Sequence, residues 1–231
     1  MSRTRVVSLV PSATETILEW GVEPIAVTRF CEQPEFATVG GTKDPDLGAV
    51  QELAPDLVLM CVEENRVEDA DALRAAGIEL FVFDIDGVED VAPQLRALAD
   101  RLEVQIPQAA VALPSPSAEE QRAFVPIWRR PWMSLRAGTY GSSVLRHIGV
   151  GNVFAEESDR YPEITLDEAV RRRPDVVLAP SEPYPFAERH RAELEAVSPV
   201  TFVDGKDLFW WGIRTPAALV RLHEQLLATD N

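Results

Sequence analysis

Short apolar runs alternate with amphipathic segments along most of the 231-residue chain. Residues 6–10, 57–60 and 80–83 are almost entirely apolar, and each run is followed by a segment with helical spacing. This alternation predicts an α/β fold in which a mostly parallel sheet is flanked by helices. Residues 88–102 carry apolar side chains along one side and are predicted to form one helix.

One phrase of this pattern occurs twice, as Pro-Asp before a buried strand at positions 55–59 and again at positions 174–178. A short amphipathic helix pattern precedes each copy, at residues 46–53 and 165–172. The repeat predicts two similar α/β lobes with a ligand-binding cleft between them. We place the lobes at residues 1–86 and 122–231, and the connecting helix with a proline-containing linker at residues 87–121.

Local signals predict how some of these elements begin. Ser12 with Glu15, and Thr165 with Glu168, have the spacing of a capping box, in which a hydroxyl and a carboxylate satisfy free amides at a helix start. Residues 204–207 read as a loop before Trp210 and Trp211. Neighbouring residues of an extended segment point in opposite directions, so at most one of these tryptophans is expected in the core.

Charge and composition exclude several classes of partner. The formal net charge of −16 argues against nucleic acid and against anionic membrane surfaces. The apolar run at residues 6–10 is too short for a signal peptide, and no run reaches the roughly 20 residues of a membrane span. The chain is therefore expected to be cytoplasmic as given, or periplasmic or extracellular if a leader has been removed. Two cysteines exclude a disulfide scaffold.

Residues suited to catalysis or metal binding are few. The three histidines are scattered, and His190 and His223 lie in polar helix patterns typical of solvated side chains, so a three-histidine metal site is not expected. No Gly-x-Ser-x-Gly turn occurs. Acidic loops at residues 63–65 and 181–186 follow the two repeated strands, at the edge where α/β proteins bind ligands.

Several short motifs together resemble the helical-backbone (class III) periplasmic substrate-binding proteins of ABC importers. These are residues 6–15, 40–43, both Pro-Asp-strand phrases, and residues 151–154 and 211–214. The family includes components that bind vitamin B12, haem and ferric siderophores, and the chain looks nearest to a leaderless branch of helical-backbone metal receptors. The resemblance implies two α/β lobes joined by a single helix, with a shallow cleft between them. It also implies capture of a metal chelate, in first place a corrinoid such as cobalamin, otherwise haem or a ferric siderophore. It implies no catalytic residue, no metal ligand from the protein and no intrinsic cofactor, with an ABC permease as a partner.

The resemblance also implies which residues line the cleft. By motif position these ligand-binding residues are Phe30, Cys31, Thr42, Lys43, Cys61, Glu63, Glu64, Asn65, Tyr140, Glu182, Tyr184, Phe186, Trp210, Trp211 and Arg214. An alternative is a cytoplasmic enzyme or a metal-ion sensor that uses the same cleft, with Cys31 and Glu63 or Glu64 as the chemical groups.

Overall fold

The structure, a computed structural model, describes residues 4–106, 108 and 112–229, which form two compact units. The first unit comprises Met1–Ile85, Asp90–Val111 and Trp211–Ile213. The second unit comprises Asp86–Glu89, Ala112–Trp210 and Arg214–Asn231. Neither unit is one continuous stretch of chain, so each depends on segments that are distant in sequence.

A five-stranded, wholly parallel sheet forms the centre of the first unit, with strand order β3-β2-β1-β4-β5. Its strands are β1 (Val6–Ser8), β2 (Ala26–Val27), β3 (Ala37–Thr38), β4 (Leu57–Cys61) and β5 (Leu80–Phe83). The first helices of the chain are α1 (Pro11–Glu19), α2 (Leu47–Glu52), α3 (Val67–Ala75) and α4 (Val88–Leu102). Every residue of β1 and β4 is buried, as the apolar runs predicted, and α4 has the predicted bounds.

The second unit contains a four-stranded parallel sheet, with strand order β11-β10-β6-β8, and a separate antiparallel pair of β7 with β9. Its strands are β6 (Gln121–Phe124), β7 (Trp132–Met133), β8 (Val150–Asn152), β9 (Glu163–Ile164), β10 (Val176–Pro180) and β11 (Val200–Val203). Its helices are α5 (Tyr140–His147), α6 (Leu166–Arg172), α7 (Arg191–Leu194), α8 (Gly205–Phe209) and α9 (Thr215–Thr229). A 3-10 turn at Glu188–His190 precedes α7. The predicted α/β class with parallel sheets and flanking helices is confirmed.

The repeated Pro-Asp phrase makes the same hydrogen bonds in both units. The Asp56 carboxylate accepts from the backbone N–H of Arg5 at 2.8 Å, and the Asp175 carboxylate accepts from that of Arg122 at 2.8 Å. Each arginine side chain then donates to a carbonyl at the end of the preceding helix, Leu53 or Arg172. The phrase therefore joins a buried strand, its neighbouring strand and a helix end, which gives a physical reason for its occurrence in both sheets.

The predicted capping boxes differ in outcome. At α6 the box is present, because Thr165 Oγ1 accepts from the Glu168 N–H at 3.2 Å and the Glu168 carboxylate accepts from the Thr165 N–H at 2.7 Å. At α1 the prediction is wrong. That helix begins at Pro11, two residues before the start that a Ser12 cap predicts, and its N-cap residue Val10 has no side chain that can accept a hydrogen bond. Proline is favoured at the first helical position because its φ is already helical and it has no N–H to satisfy.

The segment before the paired tryptophans is also helical. Residues 204–207 were predicted as a loop, but Asp204 caps α8 by accepting from the Lys206 N–H at 2.9 Å. Trp211 is 4% exposed, whereas Trp210 is only partly buried, so the prediction that at most one of them is core is confirmed. Within the described residues, no helix combines the length and the apolar character that crossing a membrane requires.

Candidate functional site

In the first unit, the buried side chain of Asn65 connects three segments at the carboxyl edge of the sheet. Its Oδ1 accepts from the Cys61 N–H at 2.7 Å, which ties the turn after β4 back to the strand. Its Nδ2 donates to the Thr42 carbonyl at 2.9 Å, and that nitrogen is 3.4 Å from the Leu9 carbonyl. Predicted site residues Cys61, Asn65 and Thr42 are therefore brought together.

Lys43 adds a second hydrogen bond between the loop after β3 and the turn after β4. Its Nζ donates to the carbonyl of Glu63 at 2.6 Å, so the loop carrying Thr42 and Lys43 and the turn carrying Glu63, Glu64 and Asn65 are bonded at two points. Lys43 is exposed, and both glutamates are partly buried. Lys43, Glu63, Glu64 and Asn65, which we call the polar corner, present an ammonium and two carboxylates on a backbone held by these hydrogen bonds.

Both cysteines are buried, and their surroundings disfavour the thiolate form. Cys31 Sγ lies 3.2 Å from the hydroxyls of Thr14 and Thr28. Burial raises the pKa of the Cys31 thiol despite these hydrogen bonds, and the negative charge of Glu64 raises it further. Burial, followed by the charge of Glu64, raises the pKa of Cys61 to about 12. Because the thiolate is the reactive form, neither cysteine supports the enzyme alternative.

Trp211 belongs to the first unit although it lies far along the chain. Its ring packs on Phe83, the last residue of β5, with centroids 4.4 Å apart. The next residues are bonded to α1, since the Ile213 N–H donates to Thr16 Oγ1 at 3.2 Å. Phe83 is in register with Cys61, so Trp211 lies beside the strand end that carries the polar corner. Phe30 differs from these residues, because half of its side chain is exposed and its ring contacts the Arg29 guanidinium.

In the second unit, an aromatic cluster follows β10. Tyr184 and Phe186 contact one another at 4.7 Å between ring centroids. Trp132 stacks on Phe186 at 5.9 Å, and the half-exposed Trp128 meets Tyr184 edge-on at 5.7 Å. His190 packs against both Tyr184 and Phe186. We call these five side chains the β10 aromatic cluster.

The other predicted residues of the second unit surround α8. Trp210 contacts two cations, with Lys206 Nζ at 4.7 Å and the Arg214 guanidinium carbon at 5.6 Å from its ring centroid. Tyr140 is buried with its hydroxyl 2.9 Å from that of Thr215, and burial raises its pKa. Glu182 packs against the start of α8, where a Cβ on Gly205 would lie 2.6 Å from the Glu182 backbone nitrogen. Glycine is therefore required at that position.

Metal coordination by protein side chains has no basis in the described residues. Among them, no group of three or more histidines, cysteines, aspartates or glutamates is placed to hold a metal ion. This finding removes support from the alternative in which Cys31 and the two glutamates bind a metal directly.

A model of the family described as "Periplasmic binding protein" matches residues 6–194, from β1 through α7 and across both copies of the repeat. The chain belongs to this family. The predicted family is thereby confirmed, and the role of a periplasmic binding protein is to bind a substrate.

Relatives with established names agree with this assignment. The vitamin B12-binding protein of Salmonella choleraesuis is 25% identical over 189 residues, which cover 75% of this chain and 71% of that protein. The periplasmic vitamin B12 binding protein of Vibrio cholerae has a similar structure, with a TM-score of 0.76, 20% identity and coverage of 99% and 98% of the two chains. A periplasmic heme-binding protein in complex with two hemes gives a TM-score of 0.81 at 21% identity, covering 96% and 97%. These two structural similarities establish the fold.

The structure adds residues that the sequence did not single out. Thr14 and Thr28 hold Cys31, Phe83 carries Trp211, and Trp132 and His190 support Tyr184 and Phe186. The prediction that His190 is a solvated surface residue is wrong, since it is 5% exposed. The concentration of aromatic residues in the second half of the sequence is a signal that could have found Trp128 and Trp132.

Proposed function

We propose that this periplasmic binding protein captures a metal chelate without transforming it, in first place a corrinoid such as cobalamin, otherwise haem or a ferric siderophore. The observation that carries the proposal is the β10 aromatic cluster, which places a half-exposed indole and a phenol next to each other at the carboxyl end of a parallel strand. Flat aromatic faces suit a large, mostly apolar ring system. The names of the B12-binding and heme-binding relatives support the same class of ligand.

The polar corner of the first unit supplies complementary chemistry. Lys43, Glu63 and Glu64 offer charged groups, and Asn65 fixes the backbone that carries them. The periphery of a corrinoid carries amides, and that of haem carries carboxylates, so a preorganised polar surface can orient either one. We propose that the fifteen residues predicted from the motifs contribute to binding through these surfaces and through the residues around α8.

A titration tests the proposal. Purified protein is mixed with cyanocobalamin, haemin or a ferric hydroxamate siderophore, and retention of visible absorbance through a desalting column is measured alongside quenching of tryptophan fluorescence. We expect micromolar or tighter binding of one chelate, and recovery of that chelate unchanged on mass spectrometry. Failure to retain any of the three, or chemical conversion of the one retained, overturns the proposal.

A pair of variants ties binding to the aromatic cluster. Tyr184→Ala is expected to weaken binding at least about fivefold, because a stacked aromatic contact contributes about 1 kcal/mol beyond its buried area. Trp20→Phe is a control at another aromatic residue. Trp20 lies at the C-terminal end of α1, whereas β1 precedes the N-terminal end of that helix. Equal losses in the two variants would contradict the assignment of the cluster.

We also propose that the protein works outside the cytoplasm, as the names of the periplasmic relatives support. There it would deliver the captured chelate to an ABC transporter permease. Cell fractionation with an antibody to the native protein tests the compartment. Uptake of radiolabelled chelate into permease-containing vesicles, with and without the binding protein, tests the partner.

A further inference from the structure

His190 contacts both ends of residues 184–187, the segment that carries Tyr184 and Phe186 of the β10 aromatic cluster. Its Nδ1 accepts a hydrogen bond from the Ala187 N–H at 3.1 Å, and its Nε2 lies 3.4 Å from the Tyr184 hydroxyl. Because Nδ1 is an acceptor, the ring hydrogen of the neutral imidazole is on Nε2, directed at Tyr184. One neutral ring therefore bonds to residues at both ends of 184–187.

The same ring supports that segment by packing. Its centroid is 5.5 Å from the ring centroids of Tyr184 and of Phe186. Trp132 in turn stacks on the Phe186 ring. His190 is buried, whereas Tyr184 is partly exposed. The imidazole thus lies beneath the aromatic surface and is not itself placed to contact a chelate.

The charged groups around His190 favour its neutral form. Burial lowers the pKa of His190, and the positive charges of Arg189 in the 3-10 turn and Arg129 in the loop before β7 lower it further. Glu193 of α7 acts in the opposite direction, but its carboxylate is paired with Arg129 Nε at 2.9 Å. At neutral pH the imidazole is therefore uncharged and can accept the Ala187 hydrogen bond.

We propose that His190 is a positioning residue, holding Tyr184 and Phe186 in their binding geometry only while its ring is neutral, so that acidification weakens ligand binding. The inference rests on the proposed function, since it assigns a regulator to the same aromatic cluster. Protonation places a second N–H at Nδ1, facing the Ala187 N–H, and two donors cannot bond to one another. The hydrogen bond is lost, and residues 184–187 are released from the imidazole.

The direction in which ligand affinity changes with pH follows from the need for a neutral His190 ring. An ordinary histidine has a pKa of about 6.5, and that of His190 lies below it, so binding is constant above that pH. Below it, affinity falls as the ring gains its proton. Linkage to one proton limits the slope to a tenfold loss per pH unit, and we expect roughly a tenfold loss between pH 7.5 and pH 5.0.

Two substitutions separate positioning from simple structural support. His190→Asn keeps an acceptor near the position of Nδ1 but cannot titrate, so we expect it to bind cyanocobalamin within about threefold of the parent at pH 7.5 and to lose the parent's pH dependence. His190→Leu removes the acceptor and should bind weakly at every pH. His223→Asn, on the exposed side of α9, is the control and should keep the parent's pH profile.

The ligand-free protein provides an independent test by NMR. As His190 titrates, the Ala187 amide resonance and the ring resonances of Tyr184 and Phe186 should shift with the same apparent pKa, and this coupling should vanish in His190→Asn. A titrating His190 with an unmoved Ala187 amide overturns the inference, as does an unchanged pH profile of binding in His190→Asn. If no chelate binds the parent at any pH, the proposed function fails, while the coupled shifts would still establish the positioning contact.

Discussion

Asp207 is a buried carboxylate that holds two arginines at the junction of α8 and α9. Arg221 donates to both of its oxygens, at 2.7 and 2.6 Å, and Arg214 reaches it at 3.4 Å. Its side chain is 6% exposed. A buried charge is tolerated only when it is paired, so these contacts allow Arg214, a predicted site residue, to lie beside Trp210.

Substitution of Asp207 by Asn is expected to destabilise the protein by about 2 kcal/mol. The change keeps the shape of the side chain but removes the buried negative charge that Arg214 and Arg221 contact, and the half-exposed Arg221 reduces the loss below that of a fully buried pair. Urea unfolding measures the effect. Asp71→Asn disrupts the exposed pair with Arg74 and should cost under about 0.5 kcal/mol. Similar costs at the two sites would show that burial of Asp207 does not matter.

Single residues show how far sequence patterns reach. The burial of one of two adjacent tryptophans could be predicted, because alternation of side chains is a local property. The burial of His190 could not, since its neighbours Glu188, Arg189 and Arg191 are polar and its burial comes from Tyr184 and Phe186 in the preceding loop. The sequence indicated the order of these residues but not the loop path that folds them onto the ring.

At the scale of elements, the two capping boxes show that the same spacing can have different structural results. Thr165 and Glu168 form the box, whereas Pro11 starts α1 early and moves Ser12 into the helix. The strands β1, β4 and β5 were predictable from short continuous apolar runs, and α4 was predictable because its apolar positions recur along 15 residues. Helix starts depend on one or two residues, and a proline can override them.

Removal of each predicted cap hydroxyl should therefore have unequal effects. Thr165→Ala is expected to lower the free energy of unfolding by about 1 kcal/mol, because it removes the side-chain acceptor of the Glu168 N–H, which then keeps only its 3.1 Å hydrogen bond to the Thr165 carbonyl. Ser12→Ala should cost less than about 0.5 kcal/mol, since among the described contacts that hydroxyl caps no amide. Thermal and urea unfolding of both variants provide the comparison. A larger loss for Ser12→Ala would restore the sequence-based assignment of the α1 cap.

At the scale of the whole molecule, each unit is completed by chain that is remote in sequence. Trp211–Ile213 belongs to the first unit although the residues on either side belong to the second. The repeat predicted two α/β lobes because each copy is local. It could not predict that residues 211–213 belong to the first unit, because this depends on contacts such as the hydrogen bond of Ile213 with Thr16, 197 positions apart.

Gly212 allows residues 211–213 to approach α1 closely, and its substitution tests how much the first unit depends on that contact. Its φ is +115°, and an added Cβ would lie 2.3 Å from Thr16 Oγ1. The threonine cannot move aside cheaply, because the same hydroxyl donates to the Ser12 carbonyl at 2.8 Å and accepts from the Ile213 N–H. Gly77 also has a positive φ, +79°, but no atom lies within 4 Å of its added Cβ.

We therefore expect Gly77→Ala to cost about 1 kcal/mol from backbone strain alone, and Gly212→Ala to cost about 3 kcal/mol or more from strain plus the clash. Urea unfolding, followed by tryptophan fluorescence, measures both. Thr16→Ala in the Gly212→Ala background removes the clashing oxygen, so a double-mutant cycle should show a favourable coupling of about 1 kcal/mol. If the two glycine variants lose equal stability and the cycle shows no coupling, the contact of Trp211–Ile213 with α1 contributes little, and the first unit is stable without it.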